Sequence, residues 1–312
     1  MHPFLRRLFY RYIAPQWRIV TCRERVLTRQ DRIYHKALLW KELRNPYKDR
    51  WFADPFILSC EGDTGEKRHE MTLLVEDFRY ADMKGRISRL KVDLQRMEIT
   101  DCKVVIEKDT HLSFPFIYRP GKMISQHEIQ RDLNTPPIYI IPENSASGRL
   151  DMYEYDMQTD TCRFVKTLCD EPLVNAVIVR DDTMYATKLP DANGKSLGVY
   201  RRRGEKFVYS YSVDFQECIA RNAGCPFMID GLLLRPAQEC NEWFGHAVSL
   251  QSVYTKNETL TMTELRRLVR EEGFHTLNAY GIYLVADVKS FKHPRLSKLI
   301  YRMLHATDLT LN

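Results

Sequence analysis

The side chains best placed to do chemistry are carboxylates at the ends of short apolar runs. Asp54 precedes Pro55 where the run FILS (56–59) begins. A carboxylate held at a rigid strand start can face an anomeric carbon while its neighbours tune its proton affinity. The same residue type before proline can also simply accept backbone N–H bonds at a turn. Glu143 follows the run YIIP (139–142) with the amide of Asn144 beside it, a position suited to an acid partner. Glu76 and Asp77 end the run LLV (73–75), and strand alternation lets only one of the two face inward. For Glu143, Glu76 and Asp77 the plain alternative is a strand-end carboxylate in water.

A second set supplies donors. Arg235 with His111 and His275 offers what a phosphate or carboxylate demands, and Gln238 adds an amide. The expected ligand therefore carries a phosphate or carboxylate, although lone histidines more often serve as satisfied structural groups. Trp51, close to Asp54, suits a sugar-stacking platform or equally a core tryptophan. There is no H-E-x-x-H, EF-hand loop or paired Cys/His spacing, so no metal or cofactor is expected. G-x-S-x-G, G-x-G-x-x-G and the Walker lysine loop are also missing.

These residues are positioned by strands. Between about 51 and 287 the chain reads as short runs rich in Ile, Val, Leu and Tyr: FILS (56–59), TLLVE (72–76), GRISRLKV (85–92), KVVIE (103–107), PFIYR (115–119), IYIIP (138–142), AVIVR (176–180) and GIYLVADV (281–288). No long amphipathic helices alternate with them, which disfavours parallel α/β folds. Asp54-Pro55-Phe56 recurs as Phe114-Pro115-Phe116 and Cys225-Pro226-Phe227. The first two prolines are 60 residues apart and the third follows 111 later, about two more periods. Further starts fit at EPLVNAVIV (171–179) and near Phe274-His275-Thr276. Proline suits the first residue of a strand because no N–H is needed there, so five starts predict an all-β, five-bladed β-propeller. A large β-sandwich with coincidental proline spacing is the alternative. The run WRIVTCR (17–23) is expected to complete the last blade beside GIYLVADV, giving a propeller over 17–288 between terminal segments 1–16 and 289–312.

The 312 residues are 44% hydrophobic and 28% charged, which excludes disorder, and the net charge of +6 is scattered, so nucleic acid is not implied. No apolar run reaches the roughly 18 residues of a spanning helix, and Arg6, Arg7 and Arg11 interrupt the N-terminus, so a cytoplasmic location is expected. Eight irregularly spaced cysteines read as buried free thiols. Leu5, Leu8, Phe9, Tyr12 and Ile13, and again Leu296, Leu299, Ile300, Met303 and Leu304, fall at helical spacing among basic residues. Each apolar face can dock on the propeller or touch an anionic membrane surface.

The order FADPFIL (52–58), LLVEDF (73–78), KGRISRL (84–90), HLSFPFIY (111–118), YIIPENS (139–145), LLLRPAQ (232–238) and FHTLNAYG (274–281) resembles the propeller region at the N-terminus of plant glucosamine inositolphosphorylceramide transferases and their stand-alone bacterial relatives. The resemblance runs from about 17 to 287. It implies a five-bladed propeller similar to the arabinanase, levansucrase and invertase clan, and a setting in cell-surface glycan metabolism. In that clan an aspartate at this first-blade position serves as nucleophile or general base, which Asp54 matches. His111, Arg235, Gln238 and His275 stand at blade starts or strand ends within the shared motifs, so the resemblance implies a sugar phosphate, a nucleotide-sugar or an acidic glycan as the ligand. The clan's other carboxylates are missing: the second start offers Ser113-Phe114-Pro115 and the third Val174-Asn175-Ala176. Hydrolysis then lacks its usual pair unless Glu143 substitutes. The plant proteins also carry a glycosyltransferase domain that has no counterpart here.

The sequence thus predicts a carbohydrate-active enzyme acting in the propeller channel, with glycosyl transfer favoured over hydrolysis. Asp54 would be base or nucleophile, Glu143, Glu76 or Asp77 its carboxyl partner, and Trp51, His111, Ser113, Asn144, Arg235, Gln238 and His275 the substrate-binding set. The competing class is a non-catalytic glycan- or sugar-phosphate-binding propeller serving a separate glycosyltransferase.

Overall fold

The computed structural model describes residues 3–23, 38–61, 69–121, 137–229, 231–256, 259–271, 273–281, 283–295, 297, 299 and 300. Their strands form five four-stranded antiparallel sheets. Blade 1 runs outward through Arg50–Glu61, Glu70–Arg79, Lys84–Asp93 and Glu98–Ile106, and blade 2 through Ser113–Tyr118, Ile138–Glu143, Leu150–Asp156 and Thr161–Cys169. Blade 3 consists of Leu173–Arg180, Thr183–Lys188, Ser196–Arg203 and Lys206–Asp214; blade 4 consists of Phe227–Ile229, Leu232–Glu239, Ala247–Lys256 and Thr259–Val269. Blade 5 joins the two ends of the chain: Phe274–Tyr280 and Tyr283–Ser290 lie inside, Gln16–Arg23 and Lys41–Glu42 outside.

The chain is an all-β, five-bladed propeller, and the five expected starts fall at the five innermost strands. The run 17–23 closes the ring, pairing antiparallel from Gln16↔Ser290 to Arg23↔Tyr283. Apolar faces of neighbouring blades pack together: Phe56 meets Phe114 edge to face at 4.9 Å between blades 1 and 2, while Ile19, Phe52 and Val285 share the core between blades 5 and 1. None of the eight cysteines is in a disulfide. The outermost strand of blade 3, Lys206–Asp214, had no sequence signature because it faces largely outward and few of its residues are buried.

Three blade starts share one local irregularity. Asp54, Phe114 and Asn175 have φ of 49°, 43° and 47°, and the ladder register slips there, between Ala53 and Phe56, Ser113 and Phe116, and Val174 and Val177. Each slip is a β-bulge whose left-handed residue costs about 1–2 kcal/mol and turns its N–H away from the strand partner. The freed N–H needs another acceptor. A carboxylate provides it each time: Asp287 for Asp54 at 3.0 Å, Asp54 for Phe114 at 2.9 Å and Glu143 for Asn175 at 3.3 Å. The acceptors stand on blades 5, 1 and 2 and their donors on blades 1, 2 and 3, so these acidic residues join successive blades.

One helix, α1 (Pro3–Tyr12), precedes the closing strand. Of the expected C-terminal helix, Pro294, Arg295, Ser297, Leu299 and Ile300 are helical, whereas Leu296, Met303 and Leu304 lie outside the described residues.

Candidate functional site

The bulge at Asp54 aims its side chain at blade 5, where Thr276 pairs with Asp287 across the two inner strands. Asp54, His275 and Asp287 meet there, each buried. His275 Nδ1 lies 3.0 Å from Asp287 Oδ2 and 3.4 Å from Asp54 Oδ1. Asp287 is fully engaged: it accepts the N–H groups of Asp54 and Thr276, the Thr276 hydroxyl at 2.6 Å, and the His275 ring. Asp54 is divided. Its Oδ2 accepts the Phe114 N–H, while Oδ1 has no hydrogen-bond partner of good geometry.

That asymmetry separates their proton affinities. Burial, with Asp287 and Glu76 nearby, pushes the Asp54 carboxyl up to about 7 against the opposing pull of His275. Asp287 is buried as deeply, but His275 and four hydrogen bonds hold it below the ordinary carboxylate range. His275 loses proton affinity through burial and regains more from the two carboxylates, for a net rise. A proton on this trio can therefore move near neutral pH. Trp17 stacks on the imidazole at 4.4 Å and Phe244 meets it edge-on at 4.8 Å, leaving the buried Nε2 without a partner. Gly245, at φ +69°, permits this packing, since a Cβ there would stand 2.7 Å from Trp17.

The other predicted residues divide into those that face the channel and those that do not. Glu76, buried, accepts from Nε2–H of His111 at 3.2 Å, while His111 Nδ1 accepts the Gly85 N–H at 3.0 Å. Asp77, the next residue, points into the blade and binds Arg50, Arg86 and Ser88. Glu143 lies on the neighbouring blade 2, paired in register with Ser113. Besides the Asn175 N–H it meets Arg221 at 3.4 Å and Ser145 at 3.4 Å. His111 is close enough to feel the charges of Glu76, Glu143 and Asp54, which together raise its proton affinity against its burial. Asn144 Oδ1 and both amide atoms of Gln238 are buried without partners.

Arg235 is placed elsewhere. Its guanidinium is fully buried in the wall beside blade 3, donating to Asn222 at 2.7 Å, to Gln251 at 2.6 Å and to the carbonyls of Ile219 and Ala220. Every nitrogen is committed internally, and desolvation lowers its proton affinity to about 9. The arginine that meets Glu143 is Arg221, which sequence reasoning passed over. It donates to Glu143, to Asn175 at 3.2 Å and to Asn193 at 2.9 Å, and lies 4.9 Å over the Phe244 ring with its Nε unpartnered. Trp51 stacks flat on Phe78 at 4.6 Å, which covers one face of its ring. The tryptophan against the buried trio is Trp17 instead, stacked on His275. Asp287 was also missed, although an acidic residue inside the apolar run LVADV (284–288) is a signal in itself.

Among the described residues, Asp54, His275 and Asp287 are also the group whose ligand atoms, within 4.8 Å of one another, could surround a cation. A metal there would have to displace the proton shared by His275 and Asp287.

Comparisons with known proteins bear on this geometry. The family described as glucosamine inositolphosphorylceramide transferase 1, N-terminal, matches residues 44–276, a span from just before the first blade to the start of the fifth. The transferase of that name from Arabidopsis thaliana is 24% identical over 233 residues, covering 70% of this chain and 27% of the relative; that of Oryza sativa subsp. indica is 24% identical over 237 residues, covering 71% and 28%. The chain thus spans little more than a quarter of those proteins. Among solved structures, a bifunctional GH43-CE protein of Bacteroides eggerthii aligns over 77% of this chain and 33% of its own with a TM-score of 0.43 and 12% identity. A hypothetical selenium-binding protein of Sulfolobus tokodaii covers 86% and 64% with a TM-score of 0.36 and 11% identity. On the extent of the family match, the chain belongs to the family of the N-terminal region of glucosamine inositolphosphorylceramide transferase 1.

Proposed function

We propose that this glycan-related propeller is a carbohydrate-active enzyme that transfers a glycosyl unit within its channel during assembly of a cell-surface glycan. Asp54 is the proton acceptor, Glu143 of the adjacent blade its carboxyl partner, and Arg221, whose Nε is uncommitted, the donor that receives a phosphate or carboxylate on the sugar. The observation that carries this reading is the division of labour on Asp54: one oxygen holds blade 2, and the other is left beside His275 with a proton affinity near neutrality. General acid–base work needs a group of that kind. The relatives' name supports transfer over hydrolysis, as does the lack of the usual carboxylates at the second and third blade starts. A cytoplasmic setting with a sugar phosphate or nucleotide-sugar as substrate belongs to the same proposal.

A binding-only role is favoured by one observation, the 3% exposure of Asp54, which leaves a substrate little of it to touch. Mass-spectrometric turnover of oligosaccharides, sugar phosphates and nucleotide-sugars separates the two. Asp54→Asn preserves an acceptor for the Phe114 N–H, so turnover falling by about 10²-fold or more in the folded variant supports catalysis. Saturable binding by both proteins with no turnover by either supports the accessory role.

A further inference from the structure

We propose that the channel mouth is a membrane-docking face, with α1 as its anchor and an anionic lipid bilayer as its partner. The inference rests on the outside of the molecule and does not depend on what the channel does. Helix α1 is fixed at its C-terminal end, where Tyr10 packs on Phe78 at 5.8 Å, Tyr12 stacks on His293 and its carbonyl accepts the Ser297 hydroxyl at 2.8 Å. The preceding turns extend away from the propeller. Leu5 and Leu8, three residues apart and so on one side of the helix, are 53% and 38% exposed. Leu299, in the helical segment joined to Tyr12 through Ser297, is 58% exposed.

Along the chain the charges flanking these leucines are all basic, with Arg18 paired to Glu42. From Met1 to Arg23 the sequence holds five arginines and no carboxylate, and from Lys289 to Ile300 it again holds only basic charges. An exposed apolar arc flanked by arginines matches the boundary of an anionic leaflet, where leucines enter the acyl region and guanidinium groups meet phosphates. A protein partner would need a groove with an acidic rim to offer the same match.

The surface around the opening extends this face. Tyr10 rests on Phe78, whose ring also stacks on Trp51 and meets His111 at 6.3 Å, so the helix lies at the same end of the propeller as His111 and the start of the first inner strand. On blade 4, Trp243 and Phe244 are 40% and 38% exposed, and Lys289 lies over the rings of both Trp17 and Trp243. Tryptophan beside lysine is the pairing found at the headgroup level of bilayers. With α1 on one side and Trp243 on the other, docking would turn the channel toward the lipid headgroups.

The test is co-sedimentation of the full chain with vesicles of phosphatidylcholine alone or mixed with phosphatidylserine. Binding at least tenfold tighter to the anionic vesicles is expected, weakening strongly at about 1 M salt, where the Debye length is about 3 Å. Leu5→Glu with Leu8→Glu, and separately Arg6→Glu with Arg7→Glu, should each lower affinity tenfold or more without moving the melting temperature. Leu8→Gln serves as a milder variant if the double change disturbs folding. Brominated lipid should quench tryptophan emission, and Trp243→Phe should remove most of that quenching. Equal binding to neutral vesicles, absence of binding, or indifference to both double variants would overturn the proposal. So would a concentration-dependent dimer dissolved by the leucine changes, which would assign the helix to a second copy of the chain.

Discussion

The backbone N–H of Asp54 donates to the carboxylate of Asp287 across the seam where blade 1 meets blade 5, at 3.0 Å and 233 residues apart in sequence. One hydrogen bond thus ties the bulge that aims the candidate acid to the strand that completes the ring. Because Asp287 also holds His275, the position of Asp54 and its proton affinity depend on the same partner.

Removing that partner should cost stability. Asp287→Ala leaves the N–H groups of Asp54 and Thr276 and the His275 ring without their acceptor, and a loss of about 3–5 kcal/mol is expected. Urea denaturation measures it. A loss comparable to a surface substitution, about 0.5 kcal/mol or less, would mean that the seam is held by something else.

Asp54 should give stability a defined pH dependence. In the fold it keeps its proton up to about pH 7, whereas the unfolded chain releases it near the ordinary value of about 4. Between those values the folded state binds the extra proton, so this group's contribution is complete below about pH 4 and is lost as pH rises through about 7. Asp54→Asn no longer titrates. Its melting temperature relative to the parent protein should therefore climb between roughly pH 4 and pH 7 and then level off, whereas a constant difference would remove Asp54 from the titrating groups.

Arg221 and Arg235 should behave in opposite ways. Arg221→Gln is expected to weaken binding of an anionic sugar by tenfold or more while leaving a neutral analogue within about threefold, as titration calorimetry would show. Equal effects on the two ligands would argue against an anion at this arginine.

Arg235→Ala, by contrast, strands Asn222, Gln251 and two carbonyl groups in a dry wall. Thermal unfolding should show about 3–5 kcal/mol of destabilisation, with ligand affinity preserved in whatever fraction stays folded. A stable variant with lost affinity would return Arg235 to the binding set.

The difference between these two arginines shows what the sequence could reveal. The propeller was legible because Pro-Phe starts recur and because proline and paired aromatics mark innermost strands whatever lies around them. Asp54 and His275 were legible as types at strand starts. Their meeting was not, since it depends on a closure between strands more than two hundred residues apart and on a bulge that turns Asp54 toward blade 5. Arg235 stood out within a shared motif, but the motif recorded an internal brace, with its neighbours Asn222 and Gln251 as the acceptors. Arg221 lies in the connection before blade 4, where no periodicity marks a position, and only the folded chain brings it to Glu143.

The closing strand Gln16–Arg23 leaves the ribosome about 260 residues ahead of its partner Tyr283–Ser290. Until that partner emerges it waits without the neighbour that will cover its ladder of N–H and C=O groups, in the state in which strand edges are most prone to wrong pairing. Four blades can assemble in the order they are made, but the fifth needs a strand made before the other four and strands made after them. A nascent chain stalled before Tyr283 would consequently be an open ring.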